Sequence, residues 1–149
     1  MKKIVFLILL FIPYTMFAQN NDSLYQAVVN NDTIAIKDLI KNGADVNYLQ
    51  QQGWVKVNLL ITAVNKKNVD AVKILLQHGA EVNWQDGFNT TALMYAANDG
   101  NLPIVKLLLD NGADIKHKDK QGNDAISVAK EAKHNQIVDL LKAKLAEKK

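Results

Sequence analysis

Gly43-Ala44-Asp45-Val46-Asn47, Gly79-Ala80-Glu81-Val82-Asn83 and Gly112-Ala113-Asp114-Ile115-Lys116 are three versions of one phrase, set 36 and 33 residues apart. Each follows an apolar stretch with helical spacing. Ile36, Leu39 and Ile40 precede the first, Val72, Leu75 and Leu76 the second, and Val105, Leu108 and Leu109 the third, and Val138 and Leu141 repeat the pattern near the end. A helical pattern with a period of this length specifies a stack of repeats. One buried aliphatic side chain contributes roughly 1.5–3 kcal/mol, so no unit buries enough to stand alone and stacking is obligatory. The recurring glycines suit the left-handed turn that ends a helix, where a Cβ brings a steric penalty.

Working outward from the phrases aligns four units. Asp22, Asn58, Thr91 and Asp124 share a column, and all four are residue types that cap helix N-termini. Ala27, Ala63, Ala96 and Ala129 put a small residue where neighbouring first helices pack closely. Pro103 falls in the first turn of a second helix, where its missing N–H does no harm. The ends read as caps, with Asp38 in the first unit and Lys130 and Lys142 in the last at otherwise apolar positions. Leu145 stands where a fourth glycine would fall, so the final helix is expected to run on.

The third unit carries a resemblance. Thr91-Ala92-Leu93-Met94-Tyr95-Ala96-Ala97, then Gly100, then Ile104-Val105-Lys106-Leu107-Leu108-Leu109 resembles the ankyrin repeat, and weaker matches extend it over nearly all of residues 19–149. The resemblance implies an all-α fold: an ankyrin-repeat α-solenoid of four stacked helix-turn-helix units with short hairpin loops, at about 22–47, 48–83, 84–116 and 117–145. The chain departs from the family at the proline after each cap, replaced by Ser23, Leu59, Ala92 and Ala125, and at the following histidine, replaced by Tyr25, Ile61, Met94 and Ser127. His134 does match the family histidine that opens a second helix.

The resemblance further implies that hairpin tips and the concave face bind a partner protein. Five positions after each glycine stand Tyr48, Trp84 and His117, Phe88 occupies a tip, and Tyr95 points outward from a first helix. The second hairpin has three extra residues after Gly53, giving Trp54-Val55-Lys56-Val57. The expected partner-binding set is therefore Tyr48, Trp54, Trp84, Phe88, Tyr95 and His117. Aromatic side chains bury much area at little entropic cost, which makes them good anchors. The competing reading is that they pack on adjacent hairpins and stiffen the stack, or that the 54–57 insertion folds over the first unit. The binding reading expects Trp54→Ala and Trp84→Ala to leave the melting temperature nearly unchanged. Gln50-Gln51-Gln52 reads as a solvated tip, and Gln51, Asn89, Lys120 and Asn123 as polar specificity positions.

Residues 1–18 form a separate object: Lys2 and Lys3, an apolar run from Ile4 to Ile12, Pro13, and small Ala18 before Gln19. That is the layout of a secretory signal peptide, of bacterial style, with Met16 departing from the small residue preferred before the cut. An uncleaved anchor is the rival reading, although the run is shorter than the ~20 residues of a spanning helix. The expected address is periplasmic or secreted, with no membrane insertion after cleavage near Ala18. No cysteine is present, so neither lipid attachment at cysteine nor a disulfide is available. Loss of Lys2 and Lys3 lowers the formal charge from +3 to +1, and all 18 basic residues are lysine. Without arginine's bidentate fork, specific nucleic-acid reading is not expected.

Catalytic motifs are missing: there is no Gly-x-Ser-x-Gly, glycine-rich phosphate loop or His-Glu-x-x-His. His78, His117 and His134 lie in different units, and His117-x-Asp119 is a weak metal pattern. No cofactor, metal or catalytic residue is expected. The expected role is a monomeric interaction module in the bacterial envelope. The alternatives are an inhibitor that neutralises an exported toxin or enzyme, and a small-ligand or catalytic groove, for which the Gln26, Thr62, Tyr95 and Val128 columns are poorly suited.

Overall fold

The computed structural model describes residues 19–147, so the expected export segment 1–18 lies outside the described residues. Helices come in consecutive pairs. Residues 19–29 form α1. It is followed by α2 (Thr33–Lys41), α3 (Leu59–Asn65), α4 (Val69–Gln77), α5 (Ala92–Asn98), α6 (Leu102–Asp110), α7 (Ala125–Glu131) and α8 (Asn135–Glu147). The first helices α3, α5 and α7 pack side by side in one layer, and α2, α4, α6 and α8 pack side by side in a second. Fully buried Leu24, Ile36, Leu60, Leu75, Leu93, Leu108, Ile137 and Leu141 run through the stack as one continuous core. Ala27, Ala63, Ala96 and Ala129 are all buried, as close helix approach requires.

Of the four expected N-cap residues, Asn58 and Asp124 cap their helices by side chain. Asn58 Oδ1 accepts from Ile61 N at 2.8 Å, and Asp124 forms a reciprocal capping box with Ser127. Thr91 occupies the N-cap of α5 with no side-chain bond to the helix, and its buried hydroxyl has no partner. Asp22 departs from its column: it lies inside α1, and its carboxylate accepts from Tyr48 instead of capping the helix. At the other end, α8 spans 13 residues through Leu145, as the lost glycine predicts.

The fold is not purely helical. β1 (Leu49–Gln52) and β2 (Val55–Asn58) pair antiparallel around Gly53-Trp54. Gly53 has φ +60 and Trp54 is outside the left-handed region, the arrangement of a turn with glycine at its first central position. The extra residues thus extend the second hairpin into a small sheet, and Gln50, Gln51 and Gln52 lie in its first strand.

Asparagines in the repeated phrase tie one hairpin to the next. Asn47 donates from Nδ2 to Gly79 O and accepts from Glu81 N, and Asn83 makes the same two bonds to Gly112 O and Asp114 N. Asn21 starts this ladder from α1, accepting from Asp45 N at 2.8 Å. Lys116 occupies the same column in the last phrase, where the ladder ends.

Gly100 has φ +70, and a Cβ built there would stand 2.5 Å from His134 Cε1. His134 Nε2 lies 2.9 Å from Asn98 O and joins the third pair to the fourth. Gly100→Ala is therefore expected to displace the imidazole and strain the turn, lowering stability by about 2–3 kcal/mol in urea denaturation. The same substitution with His134→Ala should recover part of the loss.

Candidate functional site

Three aromatic side chains converge between the β1–β2 hairpin and the third tip. Trp54, Val55, Lys56, Trp84, Gln85, Asp86, Gly87 and Phe88 line an open depression of about 400 Å³. Trp54 at the turn is fully exposed, at 102 %, and Phe88 is 54 % exposed. Trp84 is half-buried and packs against the core. Isolated exposed apolar residues are ordinary, but large aromatics grouped around one concavity match how interfaces anchor partners.

Asp86 shapes this tip. It is only 7 % exposed, and its Oδ1 accepts from Phe88 N at 2.8 Å and Thr90 N at 2.9 Å. Its Oδ2 accepts the Tyr95 hydroxyl at 2.6 Å. Burial of the phenol, and then the bond to this carboxylate, push Tyr95 well above the usual tyrosine range. Tyr95 therefore holds the tip from below. Asp119, 33 residues on, repeats the turn chemistry by accepting from Gln121 N and Asn123 N.

The other expected contact residues spend their polar atoms on neighbouring hairpins. Tyr48 donates to Asp22 Oδ1 at 2.8 Å, a bond that also raises its pKa, and His117 Nε2 lies 2.9 Å from Asn89 O. Among the polar positions, Gln51 donates to Gly53 O, Lys120 Nζ to Gly87 O and Asn123 to Asp119. The depression thus gathers Trp54, Trp84 and Phe88, while Tyr48, Tyr95 and His117 lie outside it and brace hairpins. Beside α1, α3 and the β1–β2 hairpin, a polar groove lined by Tyr25, Gln52, Val57, Thr62, Asn65 and Lys66 contains the bond from Gln52 Nε2 to the Tyr25 hydroxyl. The second hairpin therefore touches the first pair through Gln52 and approaches the third tip through Val55.

A model of the family described as ankyrin repeats (3 copies) matches residues 24–119 and again residues 59–149. The chain belongs to the ankyrin-repeat family. An ankyrin repeat protein of Acanthamoeba polyphaga mimivirus is 41 % identical over 63 residues, which are 41 % of this chain and 39 % of that protein. Human mitochondrial disaggregase is 40 % identical over 78 residues, 52 % of this chain and 11 % of its own length. Human 2-5A-dependent ribonuclease is 34 % identical over 64 residues, 42 % of this chain and 8 % of that enzyme. The ankyrin chain thus spans less than half the length of each of these relatives. No helix among its described residues is long and apolar enough to cross a membrane.

Within this ankyrin frame the sequence leaves two site features unassigned. Asp86 is visible as an aspartate recurring at Asp119, and Gly87 only as a residue between two tip positions. The expectation for Trp84 also changes. Because Trp84 packs against the core, Trp84→Ala removes buried area and should lower the melting temperature. Trp54→Ala, by contrast, is expected to change stability by less than about 0.5 kcal/mol, measurable as an unshifted thermal melt.

Proposed function

We propose that this chain is an exported protein-binding module of four ankyrin repeats whose partner docks on Trp54, Trp84 and Phe88. The observation that carries the reading is the aromatic depression, where a fully exposed tryptophan tips a hairpin extended beyond the repeat's usual turn. Repeats of this family serve generally as protein-interaction modules. The count of four rests on the four helix pairs and on a family match that fits twice, its two starting residues, 24 and 59, lying about one repeat apart. Export to a bacterial envelope rests on the Lys2-Lys3 start, the Ile4–Ile12 run and Ala18.

Binding follows from shape. The asparagine ladder and the continuous core fix the hairpin bases relative to one another, so little backbone entropy is lost on docking, and the exposed Trp54 side chain is ordered as it binds. No catalytic step is assigned. The module acts as an adaptor for an envelope protein, with inhibition of an exported enzyme or toxin as the alternative use of the same surface.

The test is a crosslinked pull-down from the envelope and culture medium of the native host, using the full chain and its Trp54→Ala/Phe88→Ala variant. One protein recovered by the first and lost with the second supports the reading, and equal recovery by both overturns it. An added activity assay on that protein separates the two roles, since an inhibitor blocks activity at a one-to-one ratio and an adaptor leaves it intact.

A further inference from the structure

We infer that the partner presents an extended, acidic segment to the depression, lying along the free edge of β2 and over Gly87. The inference rests on the proposed protein-binding role and adds the conformation and charge of what is bound.

The first observation is an unpaired strand edge. Among the described residues β2 pairs only with β1, in the register Gln52↔Val55, Gln51↔Lys56, Gln50↔Val57. The pair that brackets a two-residue turn exchanges hydrogen bonds, and pairs alternate along an antiparallel ladder. Lys56 therefore turns its N–H and C=O away from β1, and among the described residues no hydrogen bond uses them. Such an edge is a template for one more strand.

The second observation is that this seam is open where the next one is closed. Between the third and fourth tips, Lys120 N donates to Phe88 O at 3.1 Å, Lys120 Nζ donates to Gly87 O, and His117 meets Asn89 O. Among the described residues, no hydrogen bond joins the β1–β2 hairpin to residues 84–90. Gly87 contributes to the opening. Its backbone lies outside the left-handed region, so conformation does not demand glycine there. A Cβ at this position would stand 3.8 Å from Val55 Cγ1, an ordinary van der Waals contact that would close the seam without strain, so glycine leaves that gap unfilled.

Charge then selects the occupant. Lys56 lines the depression and Lys120 reaches Gly87 from its far side. The one carboxylate in the lining, Asp86, is buried and already accepts three hydrogen bonds. The accessible charge is thus positive. A second copy of this chain pairing edge to edge through β2 would set Lys56 against Lys56, and lysine on an edge strand is a device against such self-pairing. A foreign strand with aspartate or glutamate beside Lys56, and apolar side chains among Trp54, Trp84 and Phe88, meets no such repulsion.

The test is selection of a displayed library of random nine-residue peptides on the full chain, followed by affinity measurement and amide NMR with the best binder. The expected binders are rich in Asp and Glu and poor in Pro, and they shift the amides of Lys56, Val57 and Gly87. Lys56→Glu and Gly87→Leu should each weaken binding at least tenfold without moving the thermal melt. Lys56→Pro, which deletes the outward N–H at an edge position that tolerates proline, should also weaken it. Basic or neutral binders, indifference to Lys56→Glu and Gly87→Leu, or failure to select any peptide would each overturn the inference. If the native partner still requires Trp54 and Phe88 in those cases, only the inference falls. If the partner is indifferent to both aromatics, the protein-binding site itself is wrong.

Discussion

Leu108→Asp is expected to abolish the folded stack at 25 °C and neutral pH. Leu108 is fully buried on α6, and α6 packs against α4 on one side and α8 on the other. The substitution removes an aliphatic group worth about 2 kcal/mol and leaves a carboxylate in an apolar site with no cation to pair with. The sum exceeds about 5 kcal/mol, comparable with the whole stability of a domain this size. In a stack, stability passes between neighbours, so losing the third pair also uncouples the fourth from the first two. Circular dichroism at 222 nm should lose most of its helical signal. Lys106→Asp, on the exposed side of the same helix, should change stability by less than about 1 kcal/mol. Retention of a cooperative, native-like melt by Leu108→Asp would mean that this face is not the core.

The second large effect is confined to the site. Asp86→Ala strips the acceptor from Phe88 N–H, Thr90 N–H and the Tyr95 hydroxyl at once. Hydrogen bonds to a charged group contribute roughly 1.5–3 kcal/mol each, but water reaches the two loop amides and recovers part of that. A loss of about 2–4 kcal/mol is expected, concentrated in the third tip. Amide exchange at Phe88 and Thr90 should accelerate far more than at Leu93 or Leu108, and partner affinity should fall at least tenfold because Phe88 is no longer held. Asp86→Asn keeps an acceptor oxygen for the amides and should lose much less. Equal exchange rates in wild type and Asp86→Ala would show that the carboxylate does not order the tip.

These two predictions mark where the sequence is legible and where it is not. The core is legible because helical spacing and closing glycines are local properties: Leu75 and Leu108 recur in column, and Gly43, Gly79 and Gly112 take φ of 88, 87 and 85 as the phrase demands. The hairpin is half legible. The insertion after Gly53 stands out by counting, and Gly53 at the first turn position with alternating Val55-Lys56-Val57 carries the strand signal, yet an all-helical family pattern masks it. Asp22 misleads because a capping residue type also serves as an acceptor inside a helix, here for Tyr48, 26 residues away in the sequence.

Site residues are harder because exposure is a tertiary property. Trp54 and Trp84 look alike in sequence, but one projects from a turn and the other leans on the core. Tyr95 looks like a free aromatic on a first helix until Asp86 is seen beneath the tip. Gly87 has no signal at all, since its value is the side chain it lacks opposite Val55.

The most direct test of the account is a paired measurement on the Trp54→Ala/Phe88→Ala variant: affinity for the captured partner by calorimetry, and melting temperature on the same sample. Affinity is expected to fall at least tenfold while the melt stays within about 2 °C of wild type, since both side chains are exposed and the stack does not lean on them. Unchanged affinity, or a melt several degrees lower, would contradict it: the aromatics would then be bracing the hairpins, and the partner would dock elsewhere.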